Sequence, residues 1–499
     1  MDSNNHEKSK WALPFRKKSG PRLHKDDITV VDTGNAKKAV VATALGNAME
    51  WFDFGIYSYL AVIMGKVFFP EMTGSIQLIY TFATFSIAFL VRPFGGLFFG
   101  RLGDRLGRKK VLTITLVMMA VSTLCIGLIP SYASIGISAS VLLLLARLVQ
   151  GFSTGGEYSG AMTFIAESTP DKRRGFMASG LEVGTLVGYI AGSGLVTLLS
   201  YLFGPDRMLA WGWRIPFFIA APIGLVGLYL RNHLEETPAF EAMEKAAQDE
   251  GRQKVPFREL LKVQWRVVLL CIVMVCSFNV VDYMVLSYMP SHLTAVLGYG
   301  ETEGLLLILI VMFIMIPIVL FMGYFSDRIG NKRIIQGGLL GLIVLSLPAF
   351  WWIGSGKGGM VFLGLLCLAV LLTCFEGTMP SVLPALFFTK VRYGALAITY
   401  NISASLFGGT TPLVMAWLIN LTGEPLVPAY YLIAVSIIGF VIVTMWFTET
   451  SGRSLRGSAP AVEKPHEVHE VLQEPEEALW WHEEQSAIHD QLSDSDPTR

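Results

Sequence analysis

Twelve long apolar segments dominate the chain, and each is near or above the roughly 20 residues that an α-helix needs to cross a bilayer. Only 16% of the 499 residues are charged, against about 25% in an average soluble domain. The segments therefore predict twelve membrane spans. Numbered 1 to 12, the predicted spans are residues 39–68, 76–100, 110–130, 138–167, 175–203, 212–231, 264–297, 304–325, 333–354, 359–388, 394–420 and 427–449.

The basic residues between spans indicate the orientation of the chain. They concentrate in the loops after spans 2, 4, 8 and 10, whereas the alternate loops contain little beyond Arg207 and Lys357. Lys and Arg are enriched in cytoplasmic loops. We therefore expect both termini in the cytoplasm.

Polar stretches divide the chain into five parts. The N-terminal tail is basic and lacks the apolar core and cleavage site of a signal peptide. The C-terminal tail is acidic and is expected to be largely disordered, with one short amphipathic helix; a coiled-coil seam is the alternative, which Pro475 interrupts. The predicted parts are an N-terminal tail at 1–37, a six-helix bundle at 38–231, a cytoplasmic linker at 232–262, a second six-helix bundle at 263–450 and the C-terminal tail at 451–499.

The two halves repeat one another. The motif around Asp104, after span 2, recurs around Asp327, after span 8. An aspartate can cap a helix N-terminus, and neighbouring arginines can hold it as a latch that breaks when the halves rock; a capping role alone is the alternative. The predicted gating residues are Gly100, Asp104, Arg105, Gly107, Arg108, Gly323, Asp327 and Arg328. The repeat predicts an all-α integral membrane protein with twelve transmembrane helices in two pseudo-symmetric six-helix bundles.

These motifs resemble a known family. The doubled Asp-Arg loop is similar to the signature of the major facilitator superfamily. The stretches 46–54, 91–96 and 150–158 resemble its metabolite/proton symporter branch. The stretches 60–70, 288–291, 428–431 and 453–457 resemble the proline/glycine betaine–proton symporters within that branch. The resemblance implies alternating-access, proton-coupled symport of small zwitterionic compatible solutes (proline, glycine betaine, ectoine). It also implies a bacterial-type inner membrane and osmotic activation.

Ionisable side chains inside the spans are functional candidates, because each costs at least about 2.5 kcal/mol to insert. Burial favours the protonated form of a carboxyl group. The predicted proton-coupling residues are Glu50, Asp53, Glu157 and Glu182. A permanent ion pair with Arg92 that only steadies the bundle is the alternative for the acids of span 1. Asp282 and Glu376 depart from the pattern of the branch, so their roles stay open.

The solute site needs a cation and aromatic faces. The planar guanidinium of Arg92 can hold a carboxylate in a bidentate manner, with structural pairing as the alternative. Quaternary ammonium has no N–H to donate, so aromatic rings are its natural partners. The predicted aromatic contacts are Trp51, Phe54, Tyr57, Tyr283 and Tyr288. A dicarboxylate such as 2-oxoglutarate would favour a second cation, which Arg147 can supply, and is the alternative solute.

Other classes of function find little support in the sequence. There is no Walker loop, Ser-His-Asp pattern or Cys-x-x-Cys spacing, so we expect no enzyme activity, cofactor or metal. A formal net charge of zero gives no indication of nucleic-acid binding. The expected partners are a small zwitterion, a proton and the lipid bilayer. A membrane osmosensor that binds solute without transporting it is the alternative from another class.

Overall fold

The architecture is that of a computed structural model. It describes Leu23, Lys25 and residues 28–72, 74–106, 108–155, 157–232 and 265–473. Within these ranges the side chains of residues 101, 103–106, 108–112, 225–232, 301, 390 and 391 are outside the description. The predicted linker at 232–262 therefore lies outside the described residues except for Asn232.

The N-terminal half contains spans 1 to 6. Their bounds are Thr33–Tyr59 continued by Ala61–Phe68, then Ser75–Leu106, Arg108–Leu128, Ile137–Ser153 continued by Glu157–Glu167, Arg174–Arg207 and Arg214–Asn232. Short connecting turns are Tyr132–Ile135, the 3₁₀ turn Asp171–Arg173 and the π-helical turn Met208–Gly212.

The C-terminal half contains spans 7 to 12. Span 7 is Trp265–Asp282, the π-helical stretch Tyr283–Tyr288, Met289–Ser291 and a second π-helical stretch, His292–Val296. Span 8 is Glu301–Ile329, span 9 is Asn331–Ile353, and span 10 is Gly358–Glu376 continued by Met379–Ala385. Span 11 is Thr389–Ser403, continued by the π-helical Ala404–Gly408 and by Thr411–Thr422, and span 12 is Val427–Trp446. Within the described residues, nine helices are long and apolar enough to cross a membrane.

The ends of spans 2 and 8 differ from the prediction. Span 2 continues to Leu106 and span 8 to Ile329, so Asp104 and Asp327 lie in the last turns of helices rather than in loops. Span 8 ends at Gly330, whose φ of 99° is left-handed. Glycine adopts that conformation without steric cost, so the turn forms there and not earlier.

Glycines of span 5 hold it against span 1. A methyl group built on Gly184 would lie 2.2 Å from the carbonyl oxygen of Ala44, and one on Gly188 would lie 2.3 Å from that of Ala48. Only a hydrogen atom fits at these contacts. Gly184 and Gly188 are four residues apart, so both lie on the face of span 5 that packs against span 1.

The two tails meet, which the sequence did not predict. The strand β1 (Thr29–Val30) pairs in parallel with the strand β2 (Ala461–Val462), and the tail helix Glu467–Gln473 follows. Ile28, Val462 and Val471 form a small apolar cluster. The described part of the C-terminal tail is thus ordered, because distant residues supply backbone partners that local sequence does not reveal.

Candidate functional site

Span 1 carries buried polar residues on one face. Asn47, Glu50 and Phe54 follow one another at three- and four-residue spacings, Trp51 lies four residues after Asn47, and all four are buried. The amide of Asn47 donates to the carbonyl oxygen of Leu181 at 3.0 Å, and the Trp51 indole donates to Asn47 at 3.1 Å. Close packing against span 5 therefore fixes this face of span 1 toward the centre of the molecule.

Arg92 of span 2 forms an ion pair with Glu50. One guanidinium nitrogen bonds Glu50 Oε1, and both side chains are 2% exposed. The Nε of Arg92 donates to Thr154 Oγ1 at 2.9 Å. The guanidinium carbon lies 5.1 Å from the ring centre of Phe54 and 5.0 Å from that of Phe89. An ion pair between Arg92 and an acid of span 1 was the alternative to a proton-coupling role for that acid, and this ion pair is present in the structure.

A second polar network lies within the N-terminal half. Arg147 bonds Gln150, Gln150 donates to Thr123 at 2.9 Å, and Thr123 donates to Asp53 Oδ2 at 3.0 Å. The guanidinium of Arg147 covers the ring of Tyr57 at 4.2 Å. A crevice between spans 1, 3 and 6 also contains Asp53. Asp53 and Tyr57 therefore lie apart from the contact between the halves.

Five aromatic rings meet where the halves join. The Trp51 ring lies 5.3 Å from Tyr189, 5.9 Å from Tyr283 and 6.3 Å from Tyr158, between ring centres. Tyr158 lies 4.9 Å from Tyr400. We call Trp51, Tyr158, Tyr189, Tyr283 and Tyr400 the aromatic cage. It combines rings from spans 1, 4, 5, 7 and 11, so both halves build it.

The sequence prediction of the aromatic contacts was incomplete. Trp51 and Tyr283 belong to the aromatic cage, and Phe54 lies 6.2 Å from Trp51. Tyr288 lies instead against Phe82, at 6.0 Å. The sequence analysis did not select Tyr158, Tyr189 and Tyr400, although Tyr158 stands inside the motif 150–158.

The other three predicted acids differ in their settings from Asp53 and from one another. Glu50 is paired with Arg92, and Glu182 accepts a hydrogen bond from the Tyr158 hydroxyl beside the aromatic cage. Glu157 begins the second helix of span 4 and is half-buried. Asp282 and Glu376, whose roles were open, are also buried, at 3% and 0% exposure.

Asp327 joins the halves at one end of the molecule. Its carboxylate accepts from the backbone N–H of Gly175 at 2.7 Å and of Phe176 at 2.9 Å. It therefore caps the first turn of span 5, which belongs to the opposite half. Gly323 packs there against Ser179, and Arg328 covers the Tyr324 ring at 4.5 Å.

The first copy of the gating motif is only partly described. Gly100, Asp104, Arg105 and Arg108 lie in helices, but the side chains of the last three are outside the description, as is all of Gly107. Their role in gating stays a prediction.

Hydrogen bonds also join the halves beside the aromatic cage. Ser58 Oγ of span 1 donates to the carbonyl oxygen of Ser287 at 2.7 Å, and the hydroxyls of Tyr189 and Ser287 lie 3.2 Å apart. Ser58 lies near the C-terminal end of the first helix of span 1, whereas Gly175 lies at the N-terminal end of span 5. The five rings are at most 4% exposed, so the aromatic cage is closed to solvent.

The chain is similar to known proteins in both sequence and fold. The chain matches the sequence profile of the Major Facilitator Superfamily over residues 43–408. It is 50% identical over 465 residues to the proline/betaine transporter of Salmonella typhimurium, and the alignment covers 92% of each chain. It is 49% identical to the glycine betaine/proline/ectoine/pipecolic acid transporter OusA of Dickeya dadantii, and that alignment covers 93% of each chain. A solved structure of the proton:xylose symporter XylE superposes with a TM-score of 0.70 at 18% identity, over 85% of this chain and 98% of that one.

Proposed function

The chain belongs to the Major Facilitator Superfamily and is a multi-pass membrane transporter, and from this premise we propose that it carries small zwitterionic compatible solutes together with protons. Proline, glycine betaine and ectoine are the proposed solutes. Relatives that are about half identical over nine-tenths of the chain carry proline and betaine in their names. The symport works by alternating access of a central site to either side of a bacterial inner membrane, with both termini in the cytoplasm.

The observation that carries this proposal is the position of Arg92 near the aromatic cage. Phe89, one of the rings under the Arg92 guanidinium, lies 5.2 Å from Tyr283 of the cage. A zwitterion has a carboxylate for an arginine and an ammonium group for aromatic faces. The two ends of one small solute can thus be bound by neighbouring groups.

The Glu50–Arg92 pair gives a route to coupling. While Glu50 is ionised it occupies the guanidinium, so a solute carboxylate would have to displace it. A proton from water that binds Glu50 removes its charge and leaves Arg92 free to pair with the solute carboxylate. Buried charges need partners, so a proton on Glu50 and a solute on Arg92 favour one another.

The gating residues complete the cycle. Asp327 binds the first turn of span 5 in the closed arrangement, and release of these hydrogen bonds opens that end. We extend the same role to Gly100, Asp104, Arg105, Gly107 and Arg108 through the repeat. The other predicted contacts remain proposals: Asp53, Glu157 and Glu182 for protons, and Phe54, Tyr57 and Tyr288 for solute.

Two alternatives differ in what they require. A dicarboxylate such as 2-oxoglutarate needs two cations at the contact between the halves, but Arg147 belongs to the network of Gln150 and Tyr57 within the N-terminal half. A non-transporting osmosensor would bind solute without any flux. The zwitterion is therefore the solute that the site supports best.

Uptake into proteoliposomes tests the proposal. The purified protein is supplied with labelled proline, glycine betaine, ectoine or 2-oxoglutarate, with and without a proton gradient and over a range of osmolality. We expect accumulation of the three zwitterions only when the gradient is present. Accumulation of 2-oxoglutarate alone, or binding without uptake, would contradict the proposal.

A further inference from the structure

Three buried carboxyl groups lie beside the aromatic cage, and the proposed coupling at Glu50 does not use them. Glu182 belongs to span 5, Asp282 to span 7 and Glu376 to the end of the first helix of span 10. Their side chains are 1%, 3% and 0% exposed. We call Glu182, Asp282 and Glu376 the acid triad. One member comes from the N-terminal half and two come from the C-terminal half.

Close helix packing brings Glu182 and Glu376 to the same level, and Asp282 directly precedes Tyr283 of the aromatic cage. Gly323 of span 8 packs against Ser179, which lies three residues before Glu182. Gly377, the residue after Glu376, packs on the other side against Met322 and Gly323. Spans 5, 8 and 10 therefore meet at this level. The charges of Glu182 and Asp282 both act on Glu376, and that of Asp282 acts on Glu182.

Glu376 is buried without a partner. Neither of its carboxyl oxygens has a hydrogen-bond partner among the described residues, whereas Glu182 is held by the Tyr158 hydroxyl. An ionised carboxylate in such a place costs several kcal/mol that nothing repays. The unpartnered side chain thus points to a small cationic ligand that the acid triad shares.

Among the described residues, the other groups that interact with the charges of the triad are tyrosines or are already paired. The groups that interact with its charges in the described part of the chain are Tyr59, Tyr189, Tyr283 and Tyr400, together with Tyr158 through its hydrogen bond. Arg92 acts on Tyr283 and Tyr400 but is itself bound to Glu50. No described cluster of His, Cys, Asp and Glu has the arrangement to hold a metal ion. A proton is the ligand that fits.

We propose that the acid triad is a second proton-binding site, separate from Glu50, and that Glu376 carries the proton while the two halves are closed. The inference rests on the proposed function. A proton passes from water to the Glu376 carboxylate before closure and returns to water when the halves part and solvent reaches the triad. Without it, the negative charges of Glu182 on one half and of Asp282 and Glu376 on the other repel and oppose closure.

A second coupled proton has a thermodynamic signature. At zero membrane potential and a pH difference of one unit, each coupled proton supports about a tenfold accumulation of solute. Loss of one proton from the cycle therefore lowers the limiting accumulation ratio about tenfold. Exchange of solute for solute moves no net charge or proton and needs only that the site can close.

The test compares the full-length protein with Glu376→Gln and Asp282→Asn in proteoliposomes. The readouts are glycine betaine exchange without a gradient, and the limiting accumulation ratio at a one-unit pH difference with the membrane potential clamped at zero. We expect Glu376→Gln to retain exchange and to accumulate about tenfold less. A wild-type accumulation ratio in Glu376→Gln would overturn the proposal.

Two further arms keep the result unambiguous. If Glu376→Gln loses exchange as well, a second measurement counts the protons that detergent-solubilised protein releases during an alkaline titration. The wild type should release one proton more than the variant. Equal counts would overturn the proposal. Uptake driven by a sodium gradient at constant pH would also overturn it, since the site would then take sodium. If the wild type shows no proton-driven uptake, the proposed function itself fails, whatever the variant does.

Discussion

Arg92 and Glu50 form an ion pair that is almost completely shielded from solvent, with each side chain 2% exposed. The pair joins spans 1 and 2, and the guanidinium lies against the rings of both Phe54 and Phe89. Removing one member leaves an uncompensated buried charge, which costs about 3–5 kcal/mol. A solute carboxylate and a proton together can replace the pair without that cost. This exchange is the centre of the proposed mechanism.

The aromatic cage should matter most for quaternary ammonium solutes. Replacing Trp51 by Leu removes the ring at its centre, whereas Trp51→Phe retains an aromatic face. A cation–π contact contributes about 0.5–2 kcal/mol, so KM for glycine betaine should rise by roughly 2- to 30-fold in Trp51→Leu. Proline keeps N–H donors for other partners, so its KM should rise less.

Trp265→Leu is the matched control, because Trp265 is exposed and lies against Trp446 far from the cage. It should leave KM for both solutes unchanged. An equal loss for proline and glycine betaine in Trp51→Leu would show that the ring packs the bundle and does not contact the ammonium group.

The Asp327 contact should hold one end of the molecule closed. Charge-assisted hydrogen bonds contribute about 1.5–3 kcal/mol each, and Asp327 accepts two across the halves. Asp327→Ala should therefore lower the uptake rate at least about tenfold and increase alkylation of a cysteine introduced at Ser179. Asp104→Ala should likewise cripple uptake while membrane insertion remains normal.

Glu449 offers a control of the same chemistry within one half. Its carboxylate accepts from the backbone N–H of Asn331 at 3.0 Å and of Lys332 at 3.1 Å, which caps span 9. Glu449→Ala should lower thermal stability without changing alkylation at position 179. Unchanged uptake and alkylation in Asp327→Ala would contradict the latch.

The C-terminal tail should tune transport and not be required for it. Exposed ion pairs Arg173–Glu463, at 3.0 Å, and Lys172–Glu470, at 3.3 Å, tie it to the loop before span 5. Exposed pairs contribute little and weaken as salt rises. Truncation after Gly457 should preserve membrane insertion and basal uptake but shift the osmolality at which uptake is half-maximal.

The double variant Glu463→Gln/Glu470→Gln removes the two acidic partners of these ion pairs without shortening the chain. It should shift the osmolality in the same direction as truncation. Lys464→Gln is the control, since Lys464 takes part in neither ion pair. Loss of membrane insertion after truncation would refute the regulatory role.

The glycine face of span 5 should tolerate no side chain. A methyl group on Gly188 would lie 2.3 Å from the Ala48 carbonyl oxygen, whereas one on Gly194 would be 3.9 Å from its nearest neighbour. Overpacking costs about 1–3 kcal/mol. Gly188→Ala should lower the unfolding temperature in detergent, and Gly194→Ala should leave it unchanged. Equal unfolding temperatures in the two variants would contradict a tight contact between spans 1 and 5 at Gly188.

The sequence predicted the twelve spans and the twofold repeat because both depend on local hydropathy and on motifs at matched positions. It also identified Arg92, Glu50 and Trp51 as candidates, since charges and clustered aromatics inside spans are visible without a structure. What these residues bind stays a prediction.

The composition of the aromatic cage could not be read in the same way. Tyr283 and Tyr288 both belong to span 7, but they are five residues apart, which in a helix of 3.6 residues per turn places them on different faces, and they contact Trp51 and Phe82 respectively. Tyr189 and Tyr400 come from spans whose contacts are long-range. The pairing of Thr29 with Ala461 likewise joins residues that no local pattern connects.

The most direct test of proton coupling is the proton flux that solute itself drives. Proteoliposomes containing the wild-type protein are given a glycine betaine gradient, and the external pH is recorded without any imposed pH gradient. The account predicts alkalinisation of the medium as protons enter with solute, and fewer protons per solute in Glu50→Gln, which is neutral at every pH. Solute entry in the wild type without alkalinisation would contradict it.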